Sequence, residues 1–180
     1  MPDPAGSSAP PSPSSLPAQM QMLVDRAPQD GRTPIALKAI GPALVAIAQQ
    51  LGHLEYYVLQ SRDGNWLLTT LQNNDDPELE KSVVYGFDSI DAARASIKPP
   101  TKPDLVVVAL PVLQILFQLL ALEKVDSAIF FDADRQAGQG TEVRRADVQS
   151  LANAHLQKAI AETQAARAAR PKRDIPPNLA

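Results

Sequence analysis

Two aspartates one residue apart, Asp132 and Asp134, close the apolar run SAIFFDAD at residues 127–134. Such a pair at a strand end can do phosphoryl transfer, one carboxylate attacking phosphorus and the second handling protons while Mg²⁺ neutralises charge. That chemistry also needs a later lysine and further acidic ligands. Arg135 and Gln136 follow the pair instead, and beyond them the chain is mainly one helix and a tail. The aspartates are therefore read as a buried strand reaching water. His53 and His155 are the only histidines, and neither lies in a recognisable catalytic setting; His53 follows Gly52 at a helix end, where a cation meets the negative end of the dipole. Gly138-Gln139-Gly140 lacks the lysine of a phosphate-binding loop and is read as a turn. Asp75, Asp76, Glu78 and Glu80 form a polar loop. No catalytic, cofactor-binding or metal-ligating residue is assigned.

Composition excludes further classes. The chain has no cysteine, so it has no thiolate zinc site, disulfide framework or cysteine nucleophile, and the expected setting is cytoplasmic. A formal charge of −3 repels nucleic acid in bulk. The basic positions Arg144, Arg145, Arg167, Arg170, Lys172 and Arg173 lack aromatic neighbours for stacking bases, which argues against RNA reading but leaves peripheral contact with an acidic membrane open.

The elements that must position any site follow from periodicity. Residues 1–32 are rich in proline and serine and read as a disordered tail, 33–170 as a single α+β domain, and 171–180 as a flexible end. Pro34 to Leu51 shows a helical apolar pattern that Gly41-Pro42 should kink or split. LEYYVLQS and NWLLTTL flank Arg62-Asp63-Gly64, which predicts a β-hairpin. KSVVYGF is a third strand, and Asp88 is placed to cap a helix through Ile97 that KPPTKP ends.

LVVVALPVLQILFQLLAL, residues 105–122, approaches the length of a membrane span. Its β-branched opening and Pro111 divide it into a strand and a buried helix, so it is not read as transmembrane. Gln114 and Gln118 share one face of that helix and mark a candidate interface, as do Arg144 and Arg145. A closing strand begins at Ser127, and a long helix runs from about Glu142 to Ala169. The domain thus reads as a hairpin followed by β-α-β-α-β, flanked by an N-terminal helix and a long C-terminal helix.

The phrases YYVLQSRDGNWLLTTL, VVYGFDSIDAARASI, DLVVVALPVLQILF and VDSAIFFD resemble the Tic-twenty-two proteins of chloroplasts and cyanobacteria, and more distantly SseB-like domains, over residues 54–132. The resemblance implies a non-enzymatic role in protein handling and a cyanobacterial type of source. Members of that family are exported and usually carry two such units, whereas this chain shows no signal-peptide pattern and room for one. The residues themselves favour a non-enzymatic interaction, assembly or chaperone-like factor, with a protein partner or a second copy. The alternative is a small ligand-binding domain or enzyme with an unrecognised pocket.

Overall fold

The computed structural model describes residues 14–72, 80–98, 104–133 and 139–169. Asp134, Gly138, the acidic positions Asp75, Asp76 and Glu78, most of the KPPTKP segment and the basic residues beyond Ala169 lie outside the described residues, as do the first and last stretches read as tails.

Eleven elements are described: α1 (Leu16–Arg26), α2 (Thr33–Ala48), β1 (Glu55–Ser61), β2 (Thr69–Gln72), β3 (Glu80–Phe87), α3 (Ile90–Ala95), β4 (Leu105–Pro111), α4 (Val112–Ala121), β5 (Ser127–Phe131), β6 (Gly140–Arg144) and α5 (Arg145–Ala168). The strands form one mixed sheet in the order β4-β1-β3-β5-β6, with β2 paired to β3. The fold is α+β, with helices at both ends of the chain.

β3 and β5 run parallel, and β1 is antiparallel to both β3 and β4, so β3, β4 and β5 all point the same way. The crossover through α3 leads from β3 out to β4, and the crossover through α4 leads back to β5. Right-handed connections in opposite directions put α3 and α4 on opposite faces of the sheet. On the α4 face, Tyr56, Val58, Val84, Ala128 and Phe130 pack against Val112, Leu113, Ile115, Leu116 and Leu119, with Leu44, Ala48 and Val148 from α2 and α5 closing the layer. No helix among the described residues is long and apolar enough to cross a membrane. The proline at 111 ends the strand and starts the helix, because the first amides of a helix need no intrahelical acceptor.

Several expectations are corrected. Residues 16–26, read as part of a disordered tail, form α1: Ser15 caps it by accepting from the Ala18 amide at 3.3 Å. The helix is held by burial of Gln19 and by packing of Leu16, Met20 and Leu23 on the core. The α2 helix is not split at Gly41-Pro42 but runs on with Pro42 inside it. Gly41 serves the crossing with α1, since a Cβ there would stand 3.0 Å from Met20 Sδ. The start of α2 is tied by Asp30, whose carboxylate accepts from the Arg32 amide at 2.8 Å and the Thr33 amide at 2.7 Å; these bonds hold its pKa below the usual range.

The hairpin turn forms as expected at residues 61–65, with the Ser61 amide on the Asn65 carbonyl at 2.8 Å and Gly64 at φ +83°. Its return arm leaves β1 after a single bridge, Gln60 to Trp66, and becomes β2 against β3. The next stretch of that edge of β1 is already occupied, by Phe87 and Gly86 of β3 opposite Tyr57 and Val58. The α3 cap is Ser89, which accepts from the Ala92 amide at 3.2 Å, and Asp88 instead accepts from the Ala133 amide. Residues 140–144 form β6, so the last helix starts at Arg145 and not near Glu142. Gly140 is required by packing: a Cβ there would stand 2.4 Å from Ile129 Cγ2.

Candidate interaction groove along α4

Two constellations stand out, one polar and one apolar. The polar one joins the start of β1 to the end of β5. Tyr56 Oη donates to Asp132 Oδ1 at 2.8 Å and accepts from the His53 amide at 3.2 Å, while His53 Nε2 stands 3.6 Å from the same carboxylate oxygen. The Asp132 side chain is 5% exposed and that of His53 is 40% exposed. Gly52 is small for a local reason, because a Cβ there would lie 3.2 Å from the Asp132 carboxyl. Asp132 is therefore not a solvated strand end, as its sequence setting implied, but the buried anchor of the segment between α2 and β1. Burial, followed by the bond to Asp132 and its charge, pushes the Tyr56 phenol well above its ordinary pKa.

That arrangement can hold a proton firmly but offers no free nucleophile. None of its three side chains lines the grooves described below, and among the described residues no cluster of three or more His, Cys, Asp or Glu side chains is placed to hold a metal ion. A test follows from its hydrogen bonding. Tyr56→Phe leaves the ring packed on Phe130, at 4.7 Å between centroids, but removes the donor to a buried carboxylate. The expected cost is about 1–3 kcal/mol in urea melts at neutral pH. Because the folded pKa is raised, the contribution is fully present below about pH 10, where an unfolded tyrosine ionises, and is lost as pH rises further. The wild type should therefore lose stability above that pH more steeply than Tyr56→Phe; equal alkaline slopes would show that Tyr56 is not the group responsible.

The apolar constellation follows α4. Gln114, Gln118, Ala121 and Leu122 recur at helical spacing along one stripe. At one end a depression of about 210 Å³ is bounded by Leu23 and Arg26 of α1, Pro28, Leu37 of α2, Gln114, Phe117 and Gln118. At the other, Trp66 and Leu68 of the hairpin's return arm face Ala121, Leu122 and Val125 across an open depression of about 400 Å³. A smaller one of about 190 Å³, lined by Asn65, Trp66, Gln118 and Leu122, links the two. Gln118 thus borders two of the three. Its Oε1 is shielded from solvent and has no hydrogen-bond partner among the described residues. Leu68 and Leu122 are both exposed.

Both candidate glutamines therefore come together in one groove. The two candidate arginines do not join them. Arg144 ends β6 and pairs with Asp147 at 2.8 Å, and Arg145 opens α5 with its amide on the Asp126 carbonyl at 2.8 Å. Arg145 Nε is buried and without a hydrogen-bond partner among the described residues. Nearby, Lys81 and Arg144 hold the Glu142 carboxyl below its ordinary range, the bond from Lys81 being the largest cause. This corner joins β3, β6 and α5.

Sequence reasoning placed Gln114 and Gln118 on one face of the helix through their four-residue spacing. It missed Trp66, placed in a strand that was to follow β1, and Leu23 and Arg26, placed in a tail. No local signal brings those positions to α4; only the packing of α1 and the departure of the return arm do.

No family model matches the sequence, and no curated protein matches it. Among solved structures, the chain is similar to Anabaena Tic22 (protein transport), with 22% identity and a TM-score of 0.34 over 51% of this chain and 47% of that one. The likeness is weak, and the chain spans about half the length of that protein. The Anabaena protein bears the name of the family to which residues 54–132 show a weak resemblance.

Proposed function

We propose that this chain is a non-enzymatic protein-interaction domain that holds an extended stretch of polypeptide in the groove along α4, as an assembly or chaperone-like factor does. The observation that carries this reading is Gln118: an amide oxygen with no partner among the described residues, at the junction of an apolar groove. A buried acceptor without a donor is costly, and a turn about the last side-chain bond offers it to an occupant. Gln114 and Gln118 rise about 6 Å from one to the other along the helix, close to the roughly 6.8 Å between alternate residues of an extended chain. Two side-chain amides at that spacing match the repeating N–H and C=O groups of a polypeptide backbone. Trp66, Phe117, Leu68 and Leu122 supply apolar surface that accepts varied side chains. A cytoplasmic setting goes with this reading, since the chain has no cysteine to build a disulfide framework.

The test is fluorescence anisotropy of a labelled, permanently unfolded polypeptide with carboxymethylated cysteines. Binding by the wild type is expected, with the affinity lowered about fivefold or more in the double variant Gln114→Ala, Gln118→Ala, which loses at least one hydrogen bond worth about 1 kcal/mol. Binding that is absent in the wild type, or unchanged in the double variant while its melt is also unchanged, would remove the groove from consideration.

A further inference from the structure

The two ends of the α4 groove differ in shape and in charge. At the hairpin end the open depression of about 400 Å³ is bordered by both Glu123 and Lys124, whose charges oppose each other. At the other end the depression of about 210 Å³ lies between α1, α2 and α4, and Ala27 and Pro28 of the connection from α1 to α2 border it as well. Beyond Gln114 the way is blocked. There α1 sits on the first turn of α4, with Gln19 Oε1 accepting from the Leu113 amide at 3.1 Å. Only about 10 Å³ is left between Met22, Arg26, Pro111 and Gln114, a space that one water fills.

Among the described residues, Arg26 is the one charged side chain that borders this blind end. It is exposed, and no hydrogen bond or ion pair joins it to another described residue. The acidic residues nearest to it in the chain are turned to other partners. Asp25 accepts from Gln21 Nε2 at 2.7 Å, and Asp30 accepts from the Arg32 amide at 2.8 Å and the Thr33 amide at 2.7 Å.

Given that the groove is a polypeptide site, on which this rests, we infer that its occupant is the C-terminal end of a chain, with the terminal carboxylate on the Arg26 guanidinium. An internal segment must leave a groove on both sides, whereas a chain end can stop against α1. The guanidinium decides which end, because its paired N–H donors suit a carboxylate and its charge repels an ammonium. The occupant then runs opposite in direction to α4. From Gln114 to Leu122 the helix rises about 12 Å, the length of about four extended residues. The last residue of the occupant lies by Gln114 and Arg26, and the fourth from the end lies by Trp66 and Leu122.

The test is fluorescence anisotropy of the full chain with an eight-residue peptide of alternating leucine and serine, labelled at its N-terminus and made with either a free C-terminal carboxylate or a C-terminal amide. The carboxylate form should bind about fivefold more tightly, the size of effect an exposed ion pair gives, and salt should shrink the difference. Arg26→Gln exchanges an exposed side chain with no partner to lose, so its melt should match the wild type. It should bring the carboxylate peptide down to the affinity of the amide and leave the amide peptide unchanged. Equal affinities of the two peptides for the wild type overturn the inference and leave the groove as a site for internal segments. So does an Arg26→Gln variant that weakens both peptides alike or keeps the preference. An amidated peptide with glutamate at its fourth position that binds as tightly as the free carboxylate also overturns it, because an internal acidic side chain then suffices. If the permanently unfolded polypeptide binds and neither short peptide does, the chain end is not what is recognised, and the groove reading survives alone. If none of them binds, both fall.

Discussion

Leu116→Ala should lower the stability of this domain by about 2–5 kcal/mol, the largest effect expected of any single truncation in α4. Leu116 is 0% exposed and lies where α4 meets the sheet, among Leu113, Ile115, Leu119, Val84 and Phe130. The missing atoms leave a cavity that its neighbours fill only in part, because they belong to rigid strands on one side and to α2 and α5 on the other. For a chain of this size, each kcal/mol moves the melting temperature by about 2–4 °C, so calorimetry should register a fall of roughly 4–20 °C. A shift below 2 °C would mean that Leu116 is not enclosed, and that α4 does not sit between the sheet and the helical layer. The comparison with Gln118→Ala is informative, since that side chain borders the groove and its truncation should leave the melt nearly unchanged.

The second large effect concerns α1. Gln19 is 1% exposed, and its amide spans a junction between distant parts of the chain: Nε2 donates to the Leu54 carbonyl at 2.7 Å, and Oε1 accepts from the Leu113 amide at 3.1 Å. Leu113 lies in the first turn of α4, where backbone amides have no intrahelical acceptor. Gln19→Ala therefore takes away a donor to the strand entry and an acceptor for a helix end at once. The Leu54 carbonyl keeps the bond from the Val112 amide at 2.9 Å, but the Leu113 amide loses its acceptor, so a loss of about 1–3 kcal/mol is expected from urea unfolding, together with faster hydrogen exchange at the Leu113 amide. Removing residues 1–26 should cost at least as much, because Leu16, Met20 and Leu23 leave with it. Melts of the truncated and full-length chains that coincide would show that α1 does not dock.

Side chains near each other in the sequence already carried much of this architecture. The alternation from β-branched residues to a helical pattern at Pro111 divided the apolar run correctly, because a proline is acceptable at a helix start and not within a central ladder. Arg62-Asp63-Gly64 was legible as a turn, since only a residue such as glycine takes φ +83° without strain. The spacing of Gln114 and Gln118 marked one face of one helix.

What failed were inferences about partners. The composition of residues 14–32 suggests disorder, yet one buried glutamine and three apolar side chains anchor a helix there through contacts dozens of residues away. Asp132 looked like a strand reaching water, because neither Tyr56 nor Gly52 is near it in the chain. Local sequence determined which segments are helices and strands, where most of them turn, and which face of α4 is polar, since these depend on backbone sterics and periodicity within a few residues. Only the tertiary structure decided which strand β2 joins, that α1 completes the helical layer, that Asp132 is buried, and that Trp66 meets Gln118 across a groove. Those outcomes depend on which edges and faces are left vacant once the sheet has closed.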